Sequence, residues 1–82
     1  MPTMRKRAEL MEYLYSITAT YDNEPAPYWV GRYDNAVSAV TEWNKIVDWG
    51  FADEFATYNF SEPNGKMHTK IFYRKDRRVV TR

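Results

Sequence analysis

The hydrophobic period of this chain changes twice, and that change restricts the folds open to it more than any other feature. Residues 12–21 alternate, with Tyr13, Tyr15, Ile17, Ala19 and Tyr21 on one side and Leu14, Ser16, Thr18 and Thr20 on the other. A period of two, rich in β-branched and aromatic residues, predicts a strand with one buried face. Residues 22–27 (Asp-Asn-Glu-Pro-Ala-Pro) are turn chemistry, because two prolines cannot donate to a ladder. Residues 28–33 then predict a short second strand, antiparallel to the first.

The period next becomes helical. Ala36, Ala39, Val40, Trp43, Ile46 and Val47 recur at three- and four-residue steps, which gives one apolar stripe. Asp34 or Asn35 fits the N-cap, and Gly50 marks the end, with Ile46 and Phe51 placed for a C-terminal hydrophobic contact. Period two returns over residues 55–60 and 67–73. Between them lies the pair Asn64-Gly65, favoured where both turn residues take positive φ. The expected fold is therefore α+β: a two-layer ββαββ arrangement, with a mostly antiparallel four-stranded sheet and one helix packed on one face.

Eighty-two residues make a single domain over residues 1–82. Its ordered core is expected over about 10–75, with basic, flexible ends at 1–8 and 76–82. There is no cysteine, so neither disulfides nor thiolate metal sites can form. No apolar stretch approaches the ~20 residues of a membrane span, and no apolar segment follows the basic N-terminal residues. A cytoplasmic location is expected, and Asn59-Phe60-Ser61 is read as a chance sequon.

Charge is sorted along the chain. Residues 1–8 carry Arg5, Lys6 and Arg7 and no acid. Residues 66–82 carry Lys66, Lys70, Arg74, Lys75, Arg77, Arg78 and Arg82 against Asp76 alone. The stretch between holds the remaining ten acids and only Arg32 and Lys45, so the net +1 hides segments of +3, −8 and +6. Such sorting points to a partner read by electrostatics, or to tails that fold back on an acidic body.

Two constellations follow. Glu42, Asp48, Asp53 and Glu54 are expected to cluster on the outer side of the helix and the turn beyond it, as a patch that docks a basic protein surface. On the last expected strand, Met67, Thr69, Ile71 and Tyr73 read as the core face, and His68, Lys70, Phe72 and Arg74 as the outer one. Lys70, Phe72 and Arg74, continued by Lys75, Arg77 and Arg78, would place cations beside a stacking ring, which nucleic-acid binding needs. The chain holds three Trp, seven Tyr and four Phe, more than one helix–sheet interface requires. Some are therefore expected on the uncovered sheet face, as a partner surface or a homodimer interface.

Catalysis is not expected. His68 is the only histidine, no motif ties an acid to it, and Ser16, Ser38 and Ser61 lie in no nucleophile elbow. Gly31, Gly50 and Gly65 are too far apart for a phosphate loop, and Asp53-Glu54 lacks the spacing of a calcium site. No cofactor or metal is implied. In size and lopsided charge the chain resembles the small accessory proteins with which phages inhibit host machinery, although it shares no motif with them. That resemblance implies a non-catalytic module that binds a host protein. The alternative is a nucleic-acid binder using the last strand and the C-terminal tail.

Overall fold

The computed structural model describes residues 14–49 and 52–82. The elements run β1 (Tyr15–Tyr21), β2 (Tyr28–Tyr33), α1 (Ala36–Lys45), β3 (Phe55–Ser61), β4 (Met67–Tyr73) and β5 (Arg78–Thr81). The strands form one antiparallel sheet in the order β2-β1-β3-β4-β5. Among the described residues a single helix packs on it, and the fold is α+β. Tyr13, Gly50, Phe51 and the basic residues 1–8 lie outside the described residues.

The sheet has five strands rather than four, because residues 78–81 pair with β4 instead of forming a loose tail. Val79, Val80 and Thr81 are β-branched, which suits a pleated strand. Arg77 makes the reversal by taking φ 51, a left-handed conformation that is uncommon outside glycine. Beyond the strand, Arg82 and Thr69 exchange backbone hydrogen bonds of 2.8 and 3.3 Å. In the β3–β4 hairpin only Gly65 has positive φ, at 92. Asn64 instead uses its side chain, which accepts from the Lys66 amide at 3.0 Å, while Gly65 N–H donates to the Glu62 carbonyl.

Alternation fixes which side of each strand meets the helix. Ile17 and Ala19 of β1, Ala56, Tyr58 and Phe60 of β3, and Phe72 of β4 share one core with Ala39 and Trp43 of α1. Their register is consistent: Ile17 lies opposite Phe60, Ala19 opposite Tyr58, and Ala56 opposite Phe72. This is the inner face. Trp43 lies against Phe60 with ring centroids 5.6 Å apart, and small residues beneath the helix let it approach.

Asn35 caps α1, its side chain accepting from the Ser38 amide at 2.9 Å. Replacing Asn35 by Ala is expected to cost about 1 kcal/mol in a denaturant melt, because a helix of only ten residues then loses its one side-chain cap. The helix stops at Lys45, short of Gly50, and Ile46 is already extended. That early exit has a cause in packing. It lets Asp48 turn inward to Tyr58 and sets Trp49 edge-on against Phe72, with centroids 5.3 Å apart.

Candidate functional site

The sequence-based assignment of the two β4 faces is reversed in the structure. Phe72 is in the core, 2% exposed, and does not present a ring to a ligand. Lys70 shares its face: the ammonium lies 4.6 Å from the centre of the Trp43 ring and donates to the Trp43 carbonyl at 2.7 Å. Burial lowers the Lys70 pKa from its ordinary value. The pattern misled because both faces of β4 carry an aliphatic or aromatic residue, and a lysine stem can cover apolar surface while its head finds a carbonyl. Met67, Thr69, Ile71 and Tyr73 instead lie on the face turned away from α1, the outer face.

The four acids do not form one patch. Glu42 is exposed on α1 and sits 4.0 Å from Lys45. Asp48 is 5% exposed and accepts a hydrogen bond from Tyr58 Oη at 2.9 Å. A carboxylate placed four residues before a hidden core segment looks solvated in sequence, but only the fold reveals the tyrosine that receives it. Burial, with hydrogen bonds to Tyr21 and Asp48, pushes the Tyr58 hydroxyl well above its ordinary value near 10. Asp53 and Glu54 are exposed, and their amides, with that of Phe55, donate to the Asp22 carboxylate at 3.0, 2.7 and 3.3 Å.

The Tyr58–Asp48 contact gives a pH dependence with a defined sign. The folded-state pKa of Tyr58 is raised, so its contribution is intact below about pH 10 and is lost as pH rises above that value, where the unfolded chain ionises first. Melting temperature is expected to fall more steeply above about pH 10 in the natural chain than in Tyr58→Phe. At neutral pH that variant should lose roughly 1.5–3 kcal/mol, the usual worth of a hydrogen bond to a charged group.

Four of the six expected nucleic-acid-binding residues do come together. Arg74, Lys75, Arg77 and Arg78 surround an open depression of about 1100 Å³ at the β4–β5 turn, with Tyr73, Asp53, Glu54 and Asp76. Arg74 is partly structural, donating from Nη1 to the Ala52 carbonyl at 3.2 Å. Arg78 lies 3.5 Å from Asp76, and its guanidinium stacks over the Tyr73 ring at 4.5 Å. Lys75 and Arg77 are exposed. Half of the expected acidic patch therefore faces the basic turn, and the two constellations are one mixed site with a cationic excess.

That turn borders the outer face. Partners across the ladders place Ser16, Thr18 and Thr20 there from β1, Trp29 and Arg32 from β2, Phe55, Thr57, Asn59 and Ser61 from β3, and Arg78 and Val80 from β5. Trp29 is 64% exposed, and Arg32 lies 4.7 Å from its ring centre. Phe55 and Tyr73 pair at 6.1 Å, and Thr69 donates to the Asn59 side chain at 2.8 Å. Among the described strand residues of this face there are two arginines and no carboxylate. The sequence reading missed Trp29, Arg32, Phe55 and Tyr73 as a group. The irregular step in the β1–β2 register between Ile17 and Thr18, which brings Trp29 and Arg32 to one side, leaves no trace in the residue pattern.

A second hollow, about 240 Å³, lies between α1 and the inner face and is lined by Tyr15, Ala36, Val40, Trp43, Phe60, Glu62 and His68. His68 Nε2 meets Glu62 Oε2 at its rim, and the imidazole stacks on Phe60 at 5.7 Å. The hairpin register, which opposes Phe60 to His68, is what brings this acid to the histidine. Among the described residues that line the hollow, the Tyr15 phenol is the one hydroxyl.

No protein-family model, curated protein or solved structure matches this chain. Among the described residues, no helix is long and apolar enough to cross a membrane.

Proposed function

We propose that this protein is a non-catalytic binding module and that its outer sheet face, with the β4–β5 turn, takes single-stranded nucleic acid. One observation carries the reading. The outer face offers exposed aromatic rings with guanidinium groups stacked on two of them, and its strands hold no carboxylate to repel a phosphate. Bases stack on such rings whatever their identity, while the cations track the backbone. Ser, Thr and Asn side chains along the strands supply donors and acceptors for base edges. The site is open to solvent, which suits a stacking platform better than a pocket that desolvates a reacting group.

In this reading Tyr73 and Phe55 stack a base beside Arg78, and Lys75 and Arg77 neutralise the adjoining phosphates. Trp29 with Arg32 forms a second platform across the sheet. Replacing Trp29 by Ala should weaken binding of a fluorescent single-stranded oligonucleotide roughly five- to a hundredfold, the usual worth of one stacked base, with no change in melting temperature. Equal affinity in the variant would remove Trp29 from the platform.

A second reading takes a protein as the partner, in the manner of a small inhibitor or adaptor acting in the cytoplasm. The exposed side chains of Tyr28, Trp29 and Val30 at the sheet edge favour it. The acidic surface expected to serve it has lost Asp48 to the interior.

A further inference from the structure

We infer, on the nucleic-acid reading of the outer face, that one strand runs obliquely across the sheet and occupies both ring platforms at once. The ligand is then an oligonucleotide of at least about four nucleotides, not a single nucleotide. The ladders fix where the platforms lie. Trp29 is opposite Thr18, Thr18 opposite Asn59, and Asn59 opposite Thr69, so these four form one row across the sheet. Phe55, Tyr73 and Arg78 form another row. The rows are four residues apart, from Asn59 to Phe55 on β3 and from Thr69 to Tyr73 on β4. Neighbouring strands are about 4.8 Å apart and a strand advances about 3.3 Å per residue, so Trp29 stands roughly 16–20 Å from Phe55 and Tyr73.

The side chains between the platforms suit the middle of such a strand. Thr18 and Thr20 of β1 and Thr57 and Asn59 of β3 lie there, and the outer side of these two strands carries neither a cation nor a carboxylate. Thr69 donates to Asn59 Oδ1 at 2.8 Å and so fixes the orientation of the amide. Short uncharged groups of this kind bond sugars and base edges. Cations stand at the two ends: Arg32 over the Trp29 ring, and Lys75, Arg77 and Arg78 at the β4–β5 turn. A polyanion that reaches both ends meets no acid along this strip, whereas a single nucleotide at one end gains nothing from the other. A stacked strand rises about 3.4 Å per nucleotide and an unstacked backbone reaches about twice that, so 16–20 Å takes about three to six steps. Once one platform is filled, the linked strand meets the second at an effective concentration near millimolar, which raises affinity without any new contact.

The test is a length series with the full chain at low salt. Unlabelled single-stranded oligonucleotides of roughly two to ten nucleotides compete against a labelled octamer, with the natural chain and with Trp29→Ala. The natural chain should bind the octamer at least roughly tenfold more tightly than the dinucleotide, with the rise falling between about three and six nucleotides. Trp29→Ala should leave dinucleotide affinity within about twofold and lower octamer affinity at least roughly fivefold, because only the longer strand reaches that ring. Calorimetry of the natural chain should give one octamer per chain. Two octamers per chain would show that the platforms work separately and would overturn the bridging. So would equal affinity for every length, or a Trp29→Ala defect of the same size at every length. Absence of binding at all lengths would instead remove the nucleic-acid reading, and the bridging strand with it.

Discussion

Replacing Lys75, Arg77 and Arg78 together by glutamine is expected to reduce affinity for single-stranded nucleic acid by roughly a hundredfold or more at low salt, while the domain stays folded. The three side chains are exposed, the β4–β5 ladder is held by backbone atoms, and Arg74, which ties the turn to the Ala52 and Glu54 carbonyls, is left in place. Each cation that neutralises a phosphate releases about 0.7 of a counterion from a single strand, so losing three should flatten the slope of log affinity against log salt by about 2. The size of that change separates this site from diffuse attraction to a basic chain, in which each charge counts equally wherever it lies. Lys66→Gln, at the other end of β4, should leave the slope nearly unchanged. An equal effect from Lys66→Gln would disperse the site.

Phe72→Ala is expected to cost roughly 3–5 kcal/mol in urea denaturation, because it deletes a ring at the centre of the core and leaves a cavity. The whole domain should hold only about 4–12 kcal/mol, so the variant should be largely unfolded on modest warming. Phe72 touches Trp49 and Tyr58 edge-on, at 5.3 and 5.4 Å, and sits opposite Ala56, whose small side chain leaves room for it. The neighbouring Tyr73→Ala change deletes a larger side chain yet should be milder, since that ring lies on the outer face between Phe55 and Arg78. A binding defect with intact stability belongs to Tyr73, and a stability defect to Phe72. The opposite result would return Phe72 to the outer face, where the residue pattern first placed it.

The contrast between those neighbours shows what the residue pattern could and could not convey. β1 and α1 were legible because each has one buried side, so Ile17 and Ala19, or Ala39 and Trp43, repeat at the period of their element. β4 was not, because Ile71 and Phe72 are both buried, on opposite faces, and alternation then loses its sign. β5 was hidden by composition. Four bases within residues 74–78 read as a tail, yet the strand needs only Val79, Val80 and Thr81 and a turn that Arg77 can make. Of the candidate site, Arg74, Lys75, Arg77 and Arg78 were visible as a charge run. Their neighbours Phe55 and Tyr73 come from different strands, and only strand order unites them.

The most direct test of the nucleic-acid site is fluorescence anisotropy of a labelled single-stranded oligonucleotide, titrated with the natural chain at several salt concentrations from roughly 50 to 200 mM. Three cations in contact with phosphates (Lys75, Arg77 and Arg78) give a slope near −2, so affinity should fall by roughly twentyfold across that range. Absence of binding at the lowest salt, or an affinity that does not change across the series, would contradict the assignment of the outer face and the β4–β5 turn to nucleic acid.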